Sequence, residues 1–471
     1  MSVSGTLNAG NSPGTLTIDG DLVLDMSSVF EVEFNVDEAD LVLVTGSADL
    51  QGGTLLLTPE GENIFGVFSH EGLRAEGGIT GDFATVAAPN FASMERRFEG
   101  NSLFIDIITQ IGAGVALGGQ SSLVADYLNA RLVAGSDEGT LTVFTTLAQL
   151  DPTTQLNGAL SQLHPEAYAA SSSLSATSAL SVVESLGEQM IAYRSVEKGH
   201  VDLWVSGLGE FSDQDGSSGI SGFETDSYGF MAGVSYGVSD GVTVGALAGY
   251  HNLEQDFDSL AVDTDADNSF LGAYASASFG GLNIDTSFIY QTGDVDTLRS
   301  ISALDATARG SYDVDTYVIH GRVGYEAFAR DGWIIEPYTA LTYIDSDRDQ
   351  VVETGARGAN LVVDQRSTDF TFLDLGARVT GSFADGRVSP YANLAWRYDL
   401  SNDPNDVTAR FAGESVGFRV SGADVERSRF TIGSGLTGKI TDKLSGYVSY
   451  DGEFGDDLSS HSIRTGLRYS F

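Results

Sequence analysis

From His200 to Phe471 the sequence repeats one pattern, and that pattern restricts the possible folds more than any other feature. Twelve amphipathic strand candidates follow one another near 200–211, 226–238, 242–253, 267–279, 282–293, 313–328, 333–346, 368–383, 388–399, 427–440, 443–454 and 461–471. Most reach the roughly 9–11 residues that a tilted strand needs to cross a bilayer. Their links alternate in length. SDG at 239–241, GG at 280–281, RDG at 330–332, ADG at 384–386 and TDK at 441–443 read as tight hairpin turns. Between them fall longer links at 212–225, 254–266, 294–312, 347–367 and 400–426, and a shorter one at 455–460. A soluble sandwich has no reason to gather its short turns at one end, whereas an outer-membrane barrel has short periplasmic turns and longer outside loops.

Side-chain parity supports the same reading. Tyr317, Ile319, Val323 and Tyr325 share one face, opposite His320, Arg322 and Glu326. Leu373, Leu375, Val379 and Phe383 oppose Asp374, Arg378 and Thr380, and Leu394, Trp396 and Tyr398 oppose Asn393 and Arg397. A cationic side chain facing lipid at mid-bilayer costs about 2–4 kcal/mol. The charged face is therefore expected to line a wet lumen, where Arg322, Arg378, Arg397, Arg464 and Arg468 can pair with Glu326, Glu336, Asp374 and Glu453. Trp204, Tyr228, Tyr250, Trp333, Tyr343, Tyr398 and Tyr447 are candidates for interfacial girdles, although parity turns Trp204 inward. In the last strand Ile463, Leu467, Tyr469 and Phe471 take the lipid side, and Arg464 and Arg468 the lumen.

Two other regions precede the barrel pattern. Residues 1–110 carry short runs such as GTLTI, DLVLD, SVFEVEFNV, ADLVLVTGSADL and GTLLLTP, about one per ten residues and broken by turn chemistry. This spacing suits the end of a β-solenoid, with a compact β-sandwich as the alternative. Residues 111–198 change to helical spacing. Asp151-Pro152-Thr153 suits a helix start. Leu156, Leu160 and Leu163 share a face, His164-Pro165 interrupts, and a second helix runs from about Glu166 to Val196. Ala169, Ala170, Ser171, Ser172, Ser173, Ala176, Ser178, Ala179 and Ser181 make that helix narrow enough for a confined space. Glu184, Glu188, Arg194, Glu197 and Lys198 on it either pair with lumenal charges or are simply hydrated there.

Composition excludes several classes. The 24 Lys+Arg against 66 Asp+Glu, a net charge of −42, argue against nucleic acid as a partner. With no cysteine there is no disulfide, thiolate metal site or thiol nucleophile. The six histidines have no metal-ligand spacing, and Asn11-Ser12-Pro13-Gly14 reads as a turn rather than a nucleophile loop. The stretch 254–268, with Glu254, Asp256, Asp258, Asp263, Asp265 and Asp267, lacks the order of a calcium loop and reads as a solvated acidic loop, with weak cation bridging to lipopolysaccharide as the alternative. No cofactor, metal or catalytic activity is expected. The first twenty residues hold no basic n-region followed by an apolar h-region, and no run of 18 apolar residues occurs.

Several segments together resemble the autotransporter (type Va secretion) family. GNSPGTLTIDGDLVLDMSSVFEVEFN resembles the terminal repeat of its passengers, LSQLHPEAYAASSS the segment that enters its translocator, and VDLWVSGLGEF, YGFMAGVSYGVSDGVTVGALAGY, FLDLGARVTGSF, VSPYANLAWRYDL and the terminal SHSIRTGLRYSF its barrel strands. The resemblance implies an all-β fold: a twelve-stranded antiparallel transmembrane β-barrel with a lumenal α-helix, preceded by a short right-handed β-solenoid end. It divides the chain into 1–110 as an autochaperone-like passenger end, 111–198 as a helical linker, and 199–471 as the barrel. The implied function is an outer-membrane translocator that exports and anchors its own passenger; the alternative is a channel or adhesin-like barrel with a plug helix. The implied location is a Gram-negative outer membrane with residues 1–150 at the cell surface. Implied partners are outer-membrane lipid and lipopolysaccharide, the barrel-assembly machinery, periplasmic chaperones and the passenger itself, around a monomer. Phe471 resembles the terminal aromatic read during barrel insertion, with Tyr469, Leu467 and Ile463 beside it. Family members carry a signal peptide and a long passenger, so the expectation is that the sequence begins inside a longer reading frame. Some members cut their lumenal helix at an Asn; none lies between Gly158 and Gly199, so self-cleavage of that kind is not expected.

Overall fold

The computed structural model describes residues 1–471 apart from 11–12, 62–63, 65, 90, 113–114, 152–153, 193–195, 218, 402–404 and 424–425. The turn expected at Asn11–Gly14, the Pro152-Thr153 helix start and Arg194 therefore fall wholly or partly outside the described residues. The chain forms two compact units: residues 1–163 with 302–304, and 164–301 with 305–471.

In the first unit, short strands stack in parallel, as the spacing of the apolar runs predicts. Residues Ser2–Val3, Leu22–Leu24, Ala48–Gln51 and Ile79–Asp82 form one face, with Ser2 opposite Val23, Val23 opposite Asp49, and Asp49 opposite Thr80. Thr6–Leu7, Val29–Phe34, Thr54–Pro59 and Thr85–Ala87 form a second. Thr15–Ile18, Leu41–Val44 and Val67–Ala75 form the third. In the central strands alternate residues point inward, so Leu22, Leu24, Phe30, Val32, Phe34, Leu50 and Leu55 make one continuous core. Each such burial contributes roughly 1.5–3 kcal/mol. The antiparallel hairpin of Ala92–Glu99 and Ser102–Thr109 pairs with Val67–Ala75 and ends the parallel stack. Three helices follow in this unit: α1 (Gly119–Ala134), α2 (Glu138–Ala148) and α3 (Leu156–Ser161). Asp137 caps α2 by accepting from the Gly139 N–H at 2.8 Å. Leu156, Leu160 and Leu163 are all buried.

The second unit begins with α4 (Glu166–Ala192). It continues as β1 (Val201–Gln214), β2 (Phe223–Ser239), β3 (Val242–Phe257), β4 (Val262–Phe279), β5 (Leu282–Ile301) and β6 (Ala306–Tyr325). Then come β7 (Trp333–Arg348), β8 (Arg366–Gly381), β9 (Val388–Asp399), β10 (Ser428–Lys439), β11 (Leu444–Phe454) and β12 (Leu458–Ser470). Each strand pairs antiparallel with the next, and β12 pairs with β1 from Asp202 opposite Ser470 to Gln214 opposite Leu458. The sheet is a closed twelve-stranded barrel without an edge. Gly280-Gly281 and Asp331-Gly332 take positive φ at both positions, the backbone that a two-residue hairpin requires.

Strand ends differ from the sequence reading. The links expected at 254–266 and 294–312 are mostly strand, because β3 runs to Phe257, β4 starts at Val262, and β5 and β6 are 20 residues each. Above the apolar band the outward face meets water and turns acidic while the period of two persists. Glu254, Asp256, Asp263 and Asp265 are exposed, whereas Gln255, Phe257, Thr264 and Ala266 are buried. The acidic stretch is thus a strand pair, with Glu254 opposite Asp265 and Asp256 opposite Asp263, rather than a loop. No metal-binding cluster occurs among the described residues. The long links 347–367 and 400–426 also contain structure. Val351–Val352, Leu361–Val363, Asp406–Phe411 and Phe418–Ser421 form their own four-stranded sheet around Leu361, Val363, Phe411 and Val420.

Candidate functional site: the lumen and its helix

Helix α4 lies inside the barrel. At 27 residues it is about 40 Å long, comparable to a bilayer with its headgroups. Its small side chains let it fit, and its two faces meet different walls. Ala176, Ala179, Leu180, Val183, Leu186 and Met190 pack on an apolar wall that includes Trp204, Met231, Phe270, Ile289, Ile344 and Phe370. Serines on the helix hydrogen-bond to the wall: Ser178 Oγ donates to Gln291 Oε1 at 3.1 Å and Ser181 Oγ to Glu210 Oε2 at 2.5 Å.

The other face carries Glu184 and Glu188, one helical turn apart, against the arginines of β8, β9 and β12. Arg378 of β8 donates to both Glu188 oxygens, at 2.8 and 3.0 Å, and its guanidinium lies 3.5 Å from the Tyr391 ring centroid. Arg397 of β9 reaches Glu184 at 2.9 Å, Asp374 at 2.8 Å and Glu453 at 2.7 Å. Arg464 of β12, with 1% of its side chain exposed, contacts Glu184 at 2.6 Å and Asp451 at 2.7 Å. Arg429 meets Glu453 at 2.6 Å. Arg322 meets Glu336 at 2.7 Å and Asp285 at 3.4 Å, and Arg468 pairs with Asp202. A cavity of about 160 Å³ separates part of the helix from this wall, bounded by Glu184, Glu188, Glu210, Arg378, Asp451 and Arg464. Most of these buried charges meet an opposite charge, while Glu210 accepts from the Ser181 and Ser460 hydroxyls, so the arrangement is that of a clamp.

Of the residues read from the sequence, Arg322, Arg378, Arg397, Arg464, Arg468, Glu336, Asp374, Glu184 and Glu188 all lie in the lumen. Glu326 sits half-buried beyond the end of β6, where its N–H donates to the Gly281 carbonyl at 2.8 Å, apart from this network. Ile463, Leu467, Tyr469 and Phe471 face outward, Phe471 with 59% of its surface exposed. Two girdle candidates belong inside. Trp204 donates its indole N–H to Tyr274 Oη at 2.7 Å, and Tyr447 Oη lies 2.7 Å from Ser206 Oγ. Tyr447 shares the inward parity of Ser449 and Asp451, so alternation within its own strand identifies it. Sequence reasoning missed Asp451, Arg429, Asp285 and Asp202, although the same parity marks each as inward.

Outside the membrane-spanning segments, the solenoid's carboxylates are shifted by neighbouring arginines. The Arg96 guanidinium holds Asp82 below the ordinary carboxylate range, bonding it at 2.6 and 2.9 Å. Arg74 does the same for Glu71, and Arg97 for Asp106. Burial pushes Glu33 up.

The model of the autotransporter beta-domain family matches residues 203–451, more than half of the chain. An extracellular serine protease of Serratia marcescens is 23% identical over 272 residues, which are 57% of this chain and 26% of that protein. Outer membrane protein B of Rickettsia typhi is 20% identical over 288 residues, 57% of this chain and 17% of that protein. The chain therefore spans about a quarter or less of the length of these curated relatives. Among solved structures, the translocator domain of the autotransporter NalP from Neisseria meningitidis superimposes with a TM-score of 0.52 at 14% identity, covering 64% of this chain and 98% of that one. Twelve strands closed on themselves around a helix, matched by that family model over most of the barrel, mean that the chain belongs to the autotransporter family and carries its Gram-negative outer-membrane translocator β-domain.

Proposed function

We propose that the passenger exported through this barrel is the polypeptide preceding α4, and that residues 1–110 are the solenoid end of that passenger. One observation carries the reading. Helix α4 occupies the lumen with Glu166 at the long-loop mouth, bonded to Ser221 at 2.6 Å, and its C-terminal side near the short turns, where Val196 N–H donates to Thr243 Oγ1 at 3.2 Å. Chain that precedes Glu166 then leaves by the long-loop mouth, so residues 1–150 face outside, and strand β1 starts from the periplasmic end.

The solenoid end supplies a driving force. Its parallel rungs fold only after passage, and their core then opposes return, each buried side chain adding roughly 1.5–3 kcal/mol. The Glu184–Arg464 and Glu188–Arg378 pairs hold the trailing helix in the lumen once export is done, which anchors the passenger. The barrel itself works as a monomer without catalysis or cofactor; the family's translocator domain is typically non-enzymatic. Insertion depends on the barrel-assembly machinery and periplasmic chaperones, with Phe471 and the outward residues Tyr469, Leu467 and Ile463 as the signal they read. The outward apolar band sits in lipid and lipopolysaccharide.

Removal of residues 166–192 tests this reading. The expected outcome is a barrel that still shifts in electrophoretic mobility on boiling, while solenoid display at the cell surface is lost. Undiminished display without the helix would overturn the proposal.

A further inference from the structure

The first turn of α4 is held by a second set of contacts, remote from the arginine clamp. Tyr168, Arg299 and Glu353 are all buried, at 1%, 1% and 3% exposure. Glu353 belongs to the long link between β7 and β8, and its carboxylate accepts four hydrogen bonds. Tyr168 Oη donates to Oε1 at 2.8 Å, Arg299 Nε to Oε1 at 3.1 Å, Arg299 Nη2 to Oε2 at 2.5 Å, and the Leu361 N–H to Oε2 at 2.7 Å. Arg299 Nη2 also donates to the Ala359 carbonyl at 2.8 Å. One carboxylate thus ties the helix to the end of β5 and to the loop sheet.

Other loops close on the same turn. Glu166 accepts from the Ser221 N–H in the β1–β2 link, and Ala167 and Ala170 pack on Phe257 and Val262 at the β3–β4 link. Gly422, in the β9–β10 link, lies so close to the Ala169 methyl that any side chain there would collide, and Gly310 of β6 leaves the space that Tyr168 fills. Four of the six long-end links therefore meet within one turn of helix.

We propose that Glu353 is a positioning residue: with Arg299 it forms a latch that grips Tyr168, sets where the transported chain stops, and seals the outer mouth. The latch is a different device from the Glu184–Glu188 clamp, which lies further along the helix. Its loss opens the mouth without emptying the lumen. Sealing requires an inserted barrel and does not depend on whether a passenger is exported, so failure of the latch and failure of the export reading are separable.

The chain has no cysteine, so a single Ala170→Cys reporter is unambiguous. The full chain, inserted in the outer membrane of intact cells, is treated with a membrane-impermeant maleimide. In the native background the reporter labels slowly. Glu353→Gln and Tyr168→Phe, the latter removing one hydroxyl, each raise the labelling rate, by about ten-fold for Glu353→Gln if local opening loses one or two buried hydrogen bonds. Both also raise single-channel conductance in planar bilayers, while Asp331→Asn, an exposed substitution in the β6–β7 turn outside both latch and clamp, leaves labelling at 170 unchanged. Tyr168→Phe decides the matter even if Glu353→Gln fails to insert. Native-rate labelling in a heat-modifiable Tyr168→Phe barrel would overturn the latch, as would equal loosening by Asp331→Asn.

Discussion

Glu188 and Arg378 show how single residues define this lumen. Arg378 is buried and Glu188 keeps 12% of its side chain exposed, and the bidentate geometry satisfies both carboxylate oxygens. Truncating one member of such a pair leaves an uncompensated charge and costs roughly 3–5 kcal/mol, far more than an exposed pair. Arg378→Ala should therefore lower the temperature at which the barrel loses its fast electrophoretic mobility, and should do so much less in a background that already carries Glu188→Gln. Equal losses in both backgrounds would show that the pair is not coupled. The inward position of these arginines was legible in the sequence because Leu373, Leu375 and Val379 mark the opposite face so clearly. Their partners were not legible. Arg397 reaches β8, β11 and the helix at once, and that depends on strand stagger and on where α4 sits, which alternation within one strand does not encode.

At the scale of elements, the strands overrun the membrane. The 20-residue β5 and β6 are about twice the length needed to span it. Their lower halves were recognisable from apolar outward residues such as Phe288, Ile319 and Val323. Their upper halves lack an apolar outward face, so hydropathy alone does not separate them from loops. In water the outward side chains become Asp and Ser, and only the period of two remains. The loop sheet between 351 and 421 was hidden for another reason: its strands are short and its pairing joins two links far apart in sequence. The last strand was the most legible element, with Ile463, Leu467 and Tyr469 outward and Arg464 and Arg468 inward over its whole length. Phe471 follows it and donates its N–H to the Val201 carbonyl at 3.2 Å. Deleting Phe471 removes little packing from the inserted barrel, so the amount of heat-modifiable barrel should fall several-fold while its unfolding temperature stays near the native value. A fall in unfolding temperature without a fall in amount would assign Phe471 a structural role instead.

The whole molecule combines two units stabilised in different ways: a solenoid with an apolar core, and a barrel whose lumen is partly apolar and partly ionic. They should respond differently to acid. Asp82, Glu71 and Asp106 have folded values below the ordinary carboxylate range of about 4. The unfolded chain therefore binds more protons near that pH, and their stabilisation is present above about pH 4 and lost as pH falls through the folded values. Glu33, raised by burial, acts in the opposite sense. Protease sensitivity of the solenoid in the full chain should increase below about pH 4, and Arg96→Gln should flatten that dependence; a pH-independent digestion rate would contradict it.

The most direct test of the account is its orientation across the membrane. The full chain, produced in a Gram-negative host behind an export leader, is exposed to a broad-specificity protease added to intact cells. Residues preceding α4 should be digested while α4 and the barrel survive as one protected, heat-modifiable fragment beginning near His164. A chain left whole on intact cells but cut before α4 once the outer membrane is permeabilised would place the solenoid on the periplasmic side and contradict it.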